Sequence, residues 1–161
     1  MSNSYKIIPE CHADTLLIEI IGFKKPNHQP GIGEVANIMD RKMATQKVVG
    51  VVDDDKRTPE YFKKFKEERI ENNLSRRKHP DRNHYIIVVQ PAFEDWVFNA
   101  ADEVGIDPAR YGFRSRKAFR NVSKSQNVDK NENVKQFLNA IKQKKDSPMN
   151  TIKKWITEIL D

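Results

Sequence analysis

Lys47-Val48-Val49-Gly50-Val51-Val52-Asp53-Asp54-Asp55 carries the clearest structural signal in the chain. Val48 to Val52 is apolar throughout rather than alternating, the pattern of a strand buried on both faces of a parallel sheet. Three carboxylates follow at once, at the end where open α/β sheets form their binding crevices.

Outward from this segment the periodicity alternates. Tyr85-Ile86-Ile87-Val88-Val89 reads as a second buried strand, and Tyr5 to Pro9 as a short one that ends at Glu10. Leu16, Leu17, Ile20 and Ile21 recur at helical spacing, with Asp14 or Thr15 as cap and Gly22 as stop. Val35, Ile38, Met39 and Met43 give another helical stripe. Thr58-Pro59-Glu60 opens a third helix, with Thr58 as N-cap and Pro59 in the first helical position. Phe93 to Val104 makes a fourth, stopped by Gly105. Residues 24–31 read as a loop that hides a short strand, and Asn72 to Asn83 as a polar loop containing Arg76, Arg77 and Lys78. Strand–helix alternation of this kind predicts an α/β domain over residues 1–105.

Beyond it the β signal ends. Residues 106–161 read as a basic, mostly helical extension, mobile over 121–133. Two helical stripes follow: Val134, Phe137, Leu138 and Ile141, then Ile152, Trp155, Ile156 and Ile159.

Composition narrows the class. The chain has 161 residues, one domain's worth, with 37 % hydrophobic and 32 % charged residues. Its 8 Phe, 4 Tyr and 2 Trp suffice for one modest core. No apolar run approaches the ~18 residues a membrane helix needs, and Met1 to Lys6 lacks the charged and apolar regions of a signal peptide. Cys11 is the single cysteine, which excludes an internal disulfide and a multi-thiolate zinc site. A cytoplasmic protein that does not touch the membrane is the expectation. Charge is uneven: 13 Lys/Arg against 6 Asp/Glu in residues 106–161 leave +7 there, whereas residues 1–105 carry −1. Such asymmetry suits a polyanionic partner, nucleic acid being the commonest.

Three consecutive carboxylates repel one another, and a hard divalent cation relieves the repulsion. In an extended segment Asp53 and Asp55 point the same way, so they share one ion while Asp54 faces elsewhere. Glu10 and Glu94 lie at equivalent strand ends.

Glu10-Cys11-His12-Ala13-Asp14 resembles the Glu-Gly-x-x-Asp start of the Toprim domain, with Cys11 in the place of the glycine. Val49 to Asp55 resembles that domain's Asp-x-Asp motif. Gln90-Pro91-Ala92-Phe93-Glu94-Asp95-Trp96 is similar to the Pro-x-x-Glu-x-Trp segment of compact Toprim-like proteins from defence and mobile-element settings. The resemblance covers roughly residues 5–100. It implies a three-layer sandwich with a mainly parallel four-stranded sheet, Mg²⁺ or Mn²⁺ as cofactor, and phosphodiester chemistry on nucleic acid. It further implies Glu10 as general acid/base and Asp53 and Asp55 as metal ligands. From its place beyond the last strand, Glu94 either completes a second metal site or simply sits in the first turn of its helix and favours the positive end. Haloacid-dehalogenase-like phosphatases and response-regulator receivers fit the same residues less well. Arg57 stands where the former have a hydroxyl or Val, and the latter need their acidic pair after the first strand.

Arg110, Arg114, Arg116, Lys117, Arg120 and Lys124 form a run of six cations without an acid, interleaved with Tyr111, Phe113 and Phe119. Guanidinium groups pair with phosphates and aromatic faces stack on unpaired bases. The alternative is that the rings pack on the core and the cations are solvated. Arg76, Arg77 and Lys78 are the candidates for an opposite bank of a nucleic-acid groove. His12 lies two residues past Glu10, within reach of the site or simply on the surface. The expected function is that of a metal-dependent, Toprim-like nuclease, one part of a multi-component system with a partner protein. A non-catalytic Toprim-like module that binds nucleic acid or protein, and a small-molecule phosphotransfer enzyme, are the alternatives.

Overall fold

The computed structural model describes residues 4–54 and 57–161. Five strands form one mixed sheet in the order β1-β2-β5-β4-β3: β1 (Ile7–Pro9), β2 (Val48–Asp53), β3 (Lys66–Glu71), β4 (Leu74–Lys78) and β5 (His84–Val89). β1, β2 and β5 are parallel, as the apolar runs predict, and β4 and β3 add on antiparallel. The sheet therefore has five strands, not four, and is mixed rather than mainly parallel. The two extra strands come from the stretch just before β5, most of which the sequence marks as a polar loop. Asn72 and Asn73 both take positive φ (54° and 58°), as a two-residue hairpin turn demands. β3, Lys-Glu-Glu-Arg-Ile-Glu, is exposed along its whole length. It shows no apolar alternation because it is an edge strand, and its charges keep that edge from pairing with other chains.

The expected short strand in residues 24–31 exists only as half a ladder. Asn27 N–H donates to Ile7 O (2.9 Å), Gln29 N–H to Pro9 O (3.0 Å) and Gly31 N–H to Glu10 O (3.0 Å). Pro26 and Pro30 interrupt the segment with residues that have no N–H to give.

Helices cover both faces. On one, α2 (Ile32–Asn37), a π-helical turn (Ile38–Lys42) and α3 (Glu60–Lys63) pack Val35, Met39, Tyr61 and Phe62 against Ile8, Val48, Val52, Ile86 and Val88. Gly50 lets α2 approach. A Cβ there would lie 3.1 Å from Val35 Cγ1 and 3.3 Å from both Ile86 Cγ2 and Met39 Sδ. The helix at residue 58 begins later than expected, with Pro59 as its N-cap residue.

On the other face lie α1 (His12–Ile20), α4 (Phe93–Glu103), α5 (Arg116–Ser123), α6 (Glu132–Gln143) and α7 (Met149–Leu160). Phe113, Phe119, Val128, Phe137, Ile152, Trp155 and Ile156 share one core with Ile7, Leu17, Val49, Val51, Ile87 and Trp96. The C-terminal segment thus closes one side of the sheet. It holds three helices instead of two, and its stretch expected to be mobile contains the end of α5 and the buried Val128. No helix is long and apolar enough to cross a membrane among the described residues.

Candidate metal centre

The ends of β1 and β2 and the start of α1 bring three acids to one edge. Glu10 follows β1, continuing its ladder through a bond from its N–H to Val51 O (3.3 Å). Asp53 ends β2, and its N–H donates to the Glu10 carboxylate. Asp14, one helical turn beyond Glu10, comes from the first turn of α1. Each of the three offers a carboxylate oxygen, and these oxygens all lie within 4.8 Å of one another. Such a group can hold a metal ion.

Asp14 is fully buried, and neither of its oxygens has a hydrogen-bond partner among the described residues. Burial pushes its carboxyl well above the usual range, and the charges of Asp53, Glu10 and Glu94 push the same way. The neighbouring Cys11 thiol opposes this, although its sulfur is engaged as acceptor of Asp14 N–H (3.3 Å). That bond makes Cys11 the N-cap of α1. Its backbone is extended (φ −139°), so a side chain fits where the resembling family has glycine. Burial, followed by the charge of Asp14, raises the Cys11 thiol far above its ordinary range, leaving a neutral cap and not a thiolate.

The structure sorts the expected site residues. It brings Glu10 and Asp53 together. Asp55 lies outside the described residues, and Asp54 is exposed, accepting from Gln90 Nε2 at 3.4 Å. Glu94 sits in the first turn of α4, close enough for its charge to raise Asp14, but it stands outside the trio and accepts from Ser123 Oγ (3.3 Å). In the sequence Asp14 is legible as a helix cap and as the last residue of the Glu10–Asp14 motif, but not as a metal ligand. The available signal is its place in the first turn of the helix that follows Glu10 directly, which brings it back toward the strand end.

The cations are more scattered. Arg76, Arg77 and Lys78 belong to β4, which runs away from the acid edge. Leu74 pairs with Val89 but Lys78 with Tyr85, roughly 14 Å further down at ~3.4 Å per residue. Arg76 pairs with Glu68 (2.7 Å) and Glu158 (2.9 Å), Arg77 donates to Ser75 Oγ (2.9 Å), and Lys78 binds the carbonyls of His79 and Arg82. α5 lies nearer the site. Arg116 donates to Asp95 and Asn99, and Arg120 approaches Asp95 at 3.9 Å. Arg110, Arg114 and Lys117 are exposed, with no ion pair among the described residues. Phe113 and Phe119 are buried and Tyr111 packs beside them, so these rings serve the core, the blander of the two expectations. Comparisons of the chain with protein-family models, with curated proteins and with solved structures found no match.

Proposed function

We propose that this chain is a divalent-cation-dependent enzyme acting on the phosphodiesters of nucleic acid, with its reaction centre at Glu10, Asp14 and Asp53. The observation that carries the reading is Asp14, a fully buried carboxylate with no hydrogen-bond partner among the described residues, placed among two other acids. At separations of 4.8 Å or less and an effective dielectric constant of about 20, each pair of charges repels by at least about 3.5 kcal/mol. Nothing in the fold gains from that arrangement without a cation or a proton between the acids. Oxygen donors only, from carboxylates, suit Mg²⁺ or Mn²⁺.

Such an ion, when bound, polarises a phosphate oxygen and offsets its developing charge. Asp14 and Asp53 hold it from the helix and strand sides. Glu10, fixed by the Asp53 amide, exchanges a proton with the attacking or leaving oxygen. Cations of α5, on the flank of α4, attract the polyanion toward an edge that would otherwise repel it. This reading departs from the Toprim resemblance, which implies Asp53 and Asp55 as ligands, by taking Asp14 beside Asp53.

The test is calorimetric titration of Mg²⁺ and Mn²⁺ into wild type and Asp14→Asn. A parallel assay follows cleavage of labelled single- and double-stranded DNA and RNA. The reading expects binding that the variant weakens at least tenfold, and cleavage that needs the ion. Wild type that binds neither ion, or an Asn variant that binds as well, would refute it.

A further inference from the structure

Two imidazoles stand on the β1 side of the acid trio, unused by the chemistry above. His12 is the first residue of α1, between Glu10 and Asp14 in the chain. His28 lies in the half-ladder beside β1, where the Asn27–Ile7 and Gln29–Pro9 bonds set it level with the strand's last residues. The rings stack with centroids 4.4 Å apart and planes inclined by 22°. Both residues are half-buried, and neither ring hydrogen-bonds to any group among the described residues. An imidazole always carries at least one N–H, so the pair holds donors that the protein itself leaves unused.

We infer that His12 and His28 form a phosphate-recognition pair, gripping a phosphate of the nucleic-acid substrate next to the one at the acid trio. The inference rests on the phosphodiester reading of that trio. A polyanion approaching three carboxylates needs donors close to them, and His12 lies in the chain between two of the three acids. Rings stacked with centroids 4.4 Å apart are close enough for an N–H of each to reach one tetrahedral phosphate.

The competing role is mechanical: the stack could merely fasten the segment around His28 to α1. Phenylalanine and glutamine separate the two, because Phe keeps the stack and removes the N–H whereas Gln keeps a donor and removes the ring. His12→Phe, His28→Phe, His12→Gln and His28→Gln are compared with wild type in thermal melting, Mn²⁺ calorimetry, and fluorescence anisotropy with 12-nucleotide DNA and RNA strands in Ca²⁺. Phosphate recognition expects the Phe variants to melt and bind Mn²⁺ as wild type while losing at least tenfold in strand affinity. The Gln variants should lose less than threefold. Phe variants that bind strands normally, or wild type that binds neither strand, would overturn the pair's role. Absence of Mn²⁺ binding in wild type strikes the metal reading instead, and the anisotropy still decides the histidines.

Discussion

The amide of Asp53 donates to the carboxylate of Glu10, joining two acids 43 positions apart at the ends of neighbouring parallel strands. An acid held by a backbone N–H keeps its place whether or not a cation is present. Glu10→Gln preserves the acceptor oxygen, since the amide carbonyl takes the same bond. This variant is expected to fold and bind Mn²⁺ within about tenfold of wild type, yet lose at least 100-fold in cleavage rate, within the range of general acid–base contributions. Single-turnover kinetics beside calorimetry check it; full activity would remove Glu10 from proton transfer.

Asp14 keeps its proton to higher pH in the folded chain than in the unfolded one, where carboxyls titrate near 4. Above that pH the folded state binds more protons, so stability falls as pH rises toward the folded value. Asp14→Asn abolishes this slope. The cation-free variant should melt about 2–4 °C higher than wild type at pH 8, corresponding to ~1 kcal/mol in a chain of this size. Melting curves from pH 4 to 8 without metal give the answer, and a lower melting point for the variant would make the carboxylate structural.

His84 slopes the other way. Fully buried, it accepts from the Tyr61 hydroxyl at Nδ1 and donates from Nε2 to Met43 O (2.9 Å). Burial lowers its affinity for a proton, with the charge of Arg82 adding to the effect. Below about 6.5 the unfolded chain binds the extra proton first, so this contribution is complete above that pH and lost as pH falls through the folded value. In the Asp14→Asn background, urea midpoints should drop between pH 7.5 and 5, and the drop should shrink in His84→Gln.

Arg114, Lys117 and Lys124 have no ion pair among the described residues, whereas Arg116 and Arg120 share Asp95. Replacing the first three by Ala should flatten the salt dependence of strand binding, by about 0.7–0.9 in log–log slope for each phosphate no longer neutralised. Stability should move by less than ~0.5 kcal/mol, as at ordinary surface positions. Affinity measured from 50 to 300 mM KCl tests this, and an unchanged slope would leave these cations merely solvated.

Phe119, fully buried, packs against Phe93, Phe98, Phe113 and Phe137. Phe119→Ala should cost about 3–5 kcal/mol in a single unfolding transition. A separable extension would instead show two transitions in urea, with the sheet's own midpoint unmoved.

The buried strands are readable because β1, β2 and β5 are apolar on both faces, and their carboxyl ends locate Glu10 and Asp53 without any structure. β3 and β4 are not, because the edge strand β3 is charged almost throughout and β4, though internal, carries Arg76-Arg77-Lys78, and only Asn72-Asn73 marks the turn. Asp14 is hidden by its second role, as an acid in the first turn of a helix is the ordinary pattern. The aromatics between 110 and 120 show the converse. Their interleaving with arginine suits a base-stacking surface, but alternation of cations with rings is also what an amphipathic helix on a core displays.

The closure of one sheet face by α7 has a consequence for how the protein is made. Ile7 and Val49 are covered together with Ile152 and Ile156, so an emerging chain has nothing to complete that face until some 150 residues have been synthesised. At ~5–20 residues per second, the roughly 150 residues between Ile7 and Ile156 take about 7–30 seconds, during which the first strand's apolar side is incompletely covered. During that interval the polar, charge-rich sequence around the strands is what keeps the nascent chain from associating with its neighbours.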